Sequence, residues 1–246
     1  MARAPSTEYL VLDIETVPDG DRWRPPEDAP VAFPPAWAHR IVVIGCAWLD
    51  HGYRLKRFDV LGAPTTSGTP DQVERALLGD FSRLVGKNRP LLVTYNGRGF
   101  DLPVIALRAL CHGVSLGWYY REKNVRSRYS EEGHLDLCDW LADHGATRSG
   151  SLDAVARLIG LPGKTGIDGS QVDGLYRAGE MDAIERYCLS DVAQTALLFL
   201  RFRLLQGGLS QDAYLGATSA LLDALAADGR VGDVISGIDR AHLLLA

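Results

Sequence analysis

Asp13 and Glu15 stand two positions apart in the run Leu10-Val11-Leu12-Asp13-Ile14-Glu15-Thr16. An extended chain places side chains i and i+2 on one face. Two carboxylates held side by side repel each other unless a cation lies between them, so this pair is a candidate half of a divalent-metal site. Taken alone it also fits a solvated strand end before the turn Pro18-Asp19-Gly20. Asp101 closes the word Asn96-Gly97-Arg98-Gly99-Phe100-Asp101 at an expected strand-to-helix junction. Its simplest role there is an N-cap accepting a free backbone N–H, with Asn96 and the glycines as turn residues. Asp191 follows Tyr187 by four positions in a long helical pattern, so both project from one side. Ile184, Cys188, Thr195 and Leu198 share or flank that stripe. An ionisable group therefore sits on a face that otherwise looks inward, and a buried carboxylate is costly without a partner.

The elements that must position these groups alternate. Residues 8–13 read as a short buried strand ending at an acidic residue, followed by a connection containing Pro18, Pro25, Pro26, Pro30, Pro34 and Pro35. Residues 40–49 and 53–60 read as two strands around the turn Asp50-His51-Gly52. A loop over 62–70 leads to a helix over 71–87, in which Val73, Ala76, Leu77, Phe81, Leu84 and Val85 recur at helical spacing. Residues 90–95 return to strand, and 102–111 have helical spacing with Pro103 tolerated in the first turn. Helices are also expected over 151–159 and 180–205, the latter ended by Gly207-Gly208, with a glycine-rich loop over 160–174 between them. From Ser210 the tail is at most another helix. Strand, helix, strand, helix is the pattern of an α/β layer fold.

Composition bounds the rest. With 246 residues, 46% hydrophobic and 23% charged, the chain can cover one sizeable core without the charge excess of disorder. Its 26 basic against 31 acidic residues leave a net charge of −5, which argues against nonspecific coating of nucleic acid. A polyanion would have to meet a local basic surface, with cations offsetting the carboxylates around the reacting group. Cys46, Cys111, Cys138 and Cys188 are widely spaced and fit reduced thiols in a cytoplasmic protein. The apolar run from Tyr9 to Leu12 is too short for a signal-peptide core, and no stretch approaches the ~20 residues of a membrane span.

Order and combination make the acidic words specific. D-x-E at a strand end, N-x-x-x-F-D at a strand-to-helix junction and Y-x-x-x-D in a late helix resemble the three motifs of the DEDD exonuclease superfamily in its tyrosine subclass. The fuller words Leu12-Asp13-Ile14-Glu15-Thr16, Tyr95-Asn96-Gly97-Arg98-Gly99-Phe100-Asp101-Leu102-Pro103 and Tyr187-Cys188-Leu189-Ser190-Asp191 are most similar to predicted bacterial exonucleases related to the proofreading domain of family-B DNA polymerases. The resemblance runs on through His134-Leu135-Asp136-Leu137 and Leu161-Pro162-Gly163-Lys164 to about residue 206. The histidine subclass has its catalytic residue five positions before the last Asp, where this chain has Arg186, so Tyr187 assigns the subclass.

This resemblance implies an α/β, ribonuclease H-like fold, with a mixed five-stranded sheet flanked by helices. Residues 1–209 would form that exonuclease domain, and 210–246 a helical extension packed on it. Carried over by position, Asp13 would bridge two divalent cations, Mg²⁺ or Mn²⁺, with Glu15 and Asp191 completing the first. Asp101 would act on the second, through water, and Tyr187 would be catalytic. The implied reaction is 3′-to-5′ hydrolysis of terminal phosphodiesters of single-stranded nucleic acid, DNA favoured, to nucleoside monophosphates. The same words supply Thr16, Asn96 and Phe100 as candidate substrate contacts. An RNA-trimming nuclease and a catalytically silent binding module are the alternatives; a proofreading role would need an unidentified polymerase or repair partner.

Gly163-Lys164-Thr165 is not a phosphate-binding P-loop, because the position five before Gly163 is Leu158 and the preceding segment is helical. Lys164 remains a candidate phosphate contact. The stretch 118–129 alternates rings and cations, a combination that grips single strands, and makes Arg126 and Arg128 candidate contacts. His134, Asp136 and Asp139 are read as a strand end leading into a helix cap, residues 53–57 as the solvated side of a strand, and Cys188 as a core thiol.

Overall fold

A computed structural model describes residues 7–27, 33–61, 68–164, 166–167 and 169–246. Pro30, most of the expected 62–70 loop and Thr165 lie outside the described residues. Strands β1 (Tyr9–Pro18), β2 (His39–Leu49), β3 (Leu55–Leu61), β4 (Leu91–Thr94) and β5 (His134–Asp136) form one mixed sheet in the order β3-β2-β1-β4-β5. Neighbours β3, β2 and β1 are antiparallel, whereas β1, β4 and β5 run parallel.

Alternation along β1 divides the core. Leu10, Leu12 and Ile14 pack beneath α1 (Pro70–Asn88) and α2 (Asp101–His112), together with Leu77, Phe81, Leu102 and Ile105. Val11 faces the opposite layer. That layer contains α6 (Leu152–Leu158) and the long α8 (Met181–Leu205), whose Leu189, Val192, Ala193 and Ala196 are buried. Asp13 and Glu15 therefore share the α8 side, as i, i+2 spacing from Val11 requires.

β1 does not stop at Asp13. It continues through a bulge between Glu15 and Thr16 to Pro18, because β2 keeps pairing with it as far as Pro18 opposite His39. Proline is tolerated at that terminal position, where little of the ladder remains to be lost. On its other edge, β1 pairs with β4 only from Tyr9 to Val11. Beyond Val11 the carboxylate-bearing half of β1 thus projects past the end of β4, opening a crevice at the carboxyl ends of parallel strands.

Short helices fill the connections: α3 (Gly117–Arg121) and α4 (Lys123–Arg126) before β5, and α5 (Leu137–Leu141) after it. The expected 160–174 loop contains the start of α7 (Val172–Ala178). This helix is short and carries Gly174, so its own propensity is weak. Its Val172 is held in a cluster with Val17, Val43, Ile184 and Cys188. The tail forms α9 (Gln211–Asp228), α10 (Gly232–Ser236) and α11 (Arg240–Leu243) rather than one helix. Leu221, Leu222, Leu225, Val234 and Leu243 join the same buried cluster as Val11 and Phe199. Tyr214 Oη donates to the Leu243 carbonyl at 2.6 Å, and Arg201 Nη2 donates to it at 2.7 Å. Among the described residues no helix is long and apolar enough to cross a membrane.

Candidate active site

Three elements converge on the crevice. β1 contributes Asp13 and Glu15, the first turn of α2 contributes Asp101, and α8 contributes Tyr187 and Asp191. Burial raises the pKa of Asp13 well above the ordinary range, and Asp101, Glu15 and Asp191 raise it further. Glu15 is raised by burial, then by Asp191 and Asp101. Burial pushes Asp101 up to about 7 and Asp191 up to about 6. Among the described residues no arginine or lysine forms a salt bridge with any of the four.

Other buried acids of the protein are treated differently. Asp19 pairs with Arg108 at 2.7 Å, and Glu74 pairs with the same guanidinium at 2.5 Å. Asp71, Glu74 and His112 also cluster within 4.8 Å, but Arg22 and Arg108 neutralise their carboxylates. Among the described residues the acids around Asp13 have no such salt-bridged partner, which is the condition a divalent cation relieves.

Asp101 is not an N-cap. Phe100 occupies the cap position without a side-chain cap bond, and Asp101 is the first residue of α2. Asp101 is only 3% exposed, and its Oδ1 has no hydrogen-bond partner among the described residues. The backbone N–H of Ile14 favours its charged form, tying the start of α2 to β1. An orphaned buried oxygen on a carboxylate that raises the pKa of both Asp13 and Glu15 suits an oxygen-seeking cation.

The loop before Asp101 is held by Asp136, whose Oδ1 and Oδ2 accept the Asn96 and Arg98 backbone N–H groups, each at 2.8 Å. Asp136 also caps α5 through the N–H groups of Cys138 and Asp139. Asn96 takes a left-handed φ of 63° within this loop. His134 bonds Thr94 Oγ1 at 2.8 Å and Arg98 at 3.2 Å, and burial with the nearby guanidinium pushes its pKa down to about 3. His134 and Asp136 support the loop rather than adding metal ligands.

On α8, the Tyr187 phenol hydrogen-bonds the Asp191 carboxylate, lowering the Asp191 pKa against the effect of burial. Burial and the three carboxylates Asp191, Glu15 and Asp13 hold the phenol protonated, above its ordinary range. Lys164 also stabilises the charged form of Asp191. Its backbone N–H is fixed by Asp153 Oδ1 at 2.7 Å, while its side chain is exposed. Cys188 lies beneath Asp13, its Sγ 3.6 Å from the Asp13 carbonyl oxygen, and the carboxylates add to burial in keeping it a thiol.

A cleft of 1080 Å³ collects Glu15, Thr16, Phe100 and Lys164, along with His39 and Phe33. Asn96, Arg126 and Arg128 line a second cleft, of 450 Å³, with Arg98 and Asp139. The 96–100 loop contributes to both. Arg128 is paired with Asp139, whereas Arg126 is exposed and stacks over the Tyr120 ring at 5.3 Å. The motifs alone do not disclose Gly45, His39, or Asp136 as the loop clamp. Gly45 does leave a signal, since a glycine inside an apolar strand marks a close approach.

Residues 31–235 match a family described as predicted 3′-5′ exonucleases related to the exonuclease domain of PolB. Asp101, Tyr187 and Asp191 lie within that range, and Asp13 and Glu15 precede it. The catalytic polypeptide of DNA polymerase epsilon from Schizosaccharomyces pombe is 26% identical over 138 residues, covering 54% of this chain and 6% of that protein. Its counterpart in Dictyostelium discoideum is 25% identical over 223 residues, covering 80% of this chain and 9% of that protein. The chain therefore spans less than a tenth of the length of these relatives. Among solved structures, the family B DNA polymerase of the archaeon Pyrobaculum calidifontis superposes with a TM-score of 0.55 and 18% identity, over 95% of this chain and 30% of that one. Its likeness shows the fold, and with the β3-β2-β1-β4-β5 order it is the ribonuclease H-like one expected from the sequence. By its family match, the chain belongs to the predicted 3′-5′ exonucleases related to the exonuclease domain of PolB.

Proposed function

We propose that the protein is a metal-dependent 3′-5′ exonuclease of the tyrosine-subclass DEDD type, releasing nucleoside monophosphates from single-stranded nucleic acid, with DNA as the favoured substrate. One observation carries this reading: four carboxylates from three elements meet, and among the described residues no basic side chain forms a salt bridge with any of them. Asp13, Glu15, Asp101 and Asp191 are the residues that would hold two divalent cations, Mg²⁺ or Mn²⁺. Such cations, when bound, offset the carboxylate charge and supply Lewis acidity for an in-line displacement at the terminal phosphodiester.

The chain's own groups divide the remaining work. The Tyr187 phenol, held protonated, acts as a hydrogen-bond donor and not as a base. Thr16 and Phe100 line the cleft beside Glu15 and would receive the terminal nucleotide, while Lys164 supplies positive charge near Asp191 for a phosphate. Asn96, Arg126 and Arg128 would meet the strand further from its end, in the adjoining cleft. Residues 1–209 would be the catalytic domain, with 210–246 as an extension sharing its core. Digestion of end-labelled single-stranded DNA and RNA, with Mg²⁺, Mn²⁺ or a chelator, tests the proposal. Stepwise shortening from the 3′ end, abolished by chelator and faster on DNA, is expected; intact strands under every metal condition would refute it.

A further inference from the structure

The loop that ends at Lys164 takes its shape from its neighbours. Gly160 and Gly163 both adopt left-handed φ, 87° and 74°. Neither has room for a side chain. A Cβ on Gly163 would overlap the Asp153 carboxylate and lie 2.8 Å from Arg157 Nε, both on α6. A Cβ on Gly160 would lie 2.9 Å from the Asp239 carbonyl oxygen and 3.2 Å from the Leu243 nitrogen, both in the last turns of the chain. Glycine at such positions marks a backbone that something approaches closely.

Hydrogen bonds fix the same loop. Gln194 of α8, 1% exposed, accepts the Gly163 N–H at 2.8 Å, and Asp153 accepts the Lys164 N–H at 2.7 Å. The C-terminal segment adds its own support, for the Asp239 N–H donates to the Gly160 carbonyl at 2.8 Å. Gly237 lies so close to Pro162 that a Cβ there would meet the Pro162 Cβ at 2.8 Å. This segment is anchored in turn: Leu243 is fully buried, its carbonyl accepts from Tyr214 and Arg201, and the Asp239 side chain accepts the His242 N–H at 3.1 Å. Residues 237–243 lie beyond the 31–235 range of the family match. The Lys164 side chain is exposed in the 1080 Å³ cleft, so its reach is set by the backbone beneath it.

We propose that residues 237–243 are a brace, which holds the 160–164 loop where Lys164 meets a phosphate of the strand. The C-terminal extension thereby contributes to substrate binding without touching substrate. A loop fixed during folding does not lose its freedom again on binding, which is the gain of preorganisation. The proposal rests on the nuclease reading for the identity of the polyanion, while the brace is a property of the loop itself.

The test compares wild type with Lys164→Met, Gly237→Ala, Leu243→Ala and the double variant Gly237→Ala/Lys164→Met. Gly237 has a φ of −86°, ordinary for alanine, so that change only crowds Pro162. Leu225→Ala, an equally buried change in α9, is the control for lost core packing. Binding of single-stranded DNA is followed by fluorescence anisotropy across a salt series with Ca²⁺, and amide hydrogen exchange is read at Leu161, Gly163 and Lys164. Lys164→Met should weaken binding about 3- to 10-fold, as loss of one exposed contact permits, and reduce the magnitude of the salt slope by ~0.7. Gly237→Ala and Leu243→Ala should move both quantities the same way, speed exchange in the loop relative to Leu225→Ala, and add nothing once Lys164 is Met. Leu225→Ala should keep the wild-type slope. Loop exchange unchanged in both tail variants overturns the brace, whatever the strand does. Full additivity with Lys164→Met, or a Lys164→Met slope equal to wild type, overturns its action through Lys164. Strands that are bound but never shortened with Mg²⁺ or Mn²⁺ would instead count against the exonuclease reading, with exchange and slope still deciding the brace.

Discussion

Gly45 lies directly opposite Asp13 in the β1–β2 ladder, and a Cβ built there would sit 2.8 Å from Cys188 Sγ and 3.1 Å from Val192 Cγ2. The missing side chain is what allows α8 to press against β2 and bring Asp191 toward Asp13. Gly45→Ala should cost about 1–3 kcal/mol of stability, the range of overpacking in a close-packed core. Cleavage should fall further than stability, because the displaced helix carries Tyr187 and Asp191. Adding Cys188→Ala should recover part of both, as measured by denaturant titration and single-turnover cleavage. A double variant no better than the single one would mean that the helix had not moved.

Asp13→Asn and Asp191→Asn should each abolish measurable cleavage while the protein stays folded. Each removes a candidate ligand and also a charge that raises its neighbours' pKa values, Asp191 those of Asp13 and Glu15, and Asp13 those of Cys188 and Tyr187. The melting temperature of the metal-free variants should equal or exceed that of wild type. Near wild-type turnover in either variant would remove the metal assignment.

The same carboxylates set a pH dependence whose sign is fixed by the direction of their shifts. Asp101 at about 7 and Asp191 at about 6 are raised in the folded protein, against ~4 for an unfolded aspartate. A raised pKa means that the native state holds more protons, so stability is lost as pH rises from ~4 toward ~7. Metal-free protein should therefore melt at a higher temperature at pH 5 than at pH 8, and Mg²⁺ should restore more at pH 8. Asp19 and Asp71 have lowered values beside arginine and act the other way, weakening the fold only at more acid pH. A flat melting profile between pH 5 and 8 without metal would count against the buried cluster.

Arg126 and Arg128 should separate on mutation, although their spacing in the sequence suggests one joint role. Arg126 is exposed and, among the described residues, forms no salt bridge, so Arg126→Ala should raise KM and reduce the magnitude of the log K against log salt slope by ~0.7. Arg128 is engaged with Asp139, and Arg128→Ala should leave the slope nearly unchanged. Equal effects on the slope would show that the Arg128–Asp139 pair opens to substrate.

The three acidic words are legible in the sequence because each depends on local geometry: i, i+2 on a strand for Asp13 and Glu15, i, i+4 on a helix for Tyr187 and Asp191. What escapes depends on chain segments far apart. The continuation of β1 to Pro18 is imposed by β2, and α7 is held by Val17 and Ile184 rather than by its own residues. Local pattern marks Asp136 as a cap, but its second task, fixing the Asn96 and Arg98 backbone, exists only once β5 lies beside β4. The 118–129 segment reads as a single basic surface, yet Trp118 is turned into the core against Phe81. Arginine in a sequence does not disclose its counter-ion.

Tyr187→Phe should lower kcat by roughly 10²-fold, within the range of positioned acid–base and orienting groups, with little change in cation affinity. Burial and the surrounding carboxylates keep the phenol protonated, so the variant loses a donor and not a base. In this structure the donor is spent on Asp191, where it favours the charged carboxylate. Phenylalanine keeps the ring packing and deletes only that bond, so folding should survive. The Asp191 pKa should rise when the bond is lost, moving the pH midpoint of Mn²⁺ binding upward even if affinity at pH 8 is preserved. Single-turnover cleavage and Mn²⁺ titrations at pH 6 and pH 8 separate the contributions. Wild-type cleavage would reduce Tyr187 to a packing residue, and lost Mn²⁺ binding at both pH values would make it a structural support. A roughly 10²-fold slower reaction with an upward-shifted Mn²⁺ midpoint is the result expected if the phenol orients the reacting groups and tunes Asp191 through the same hydrogen.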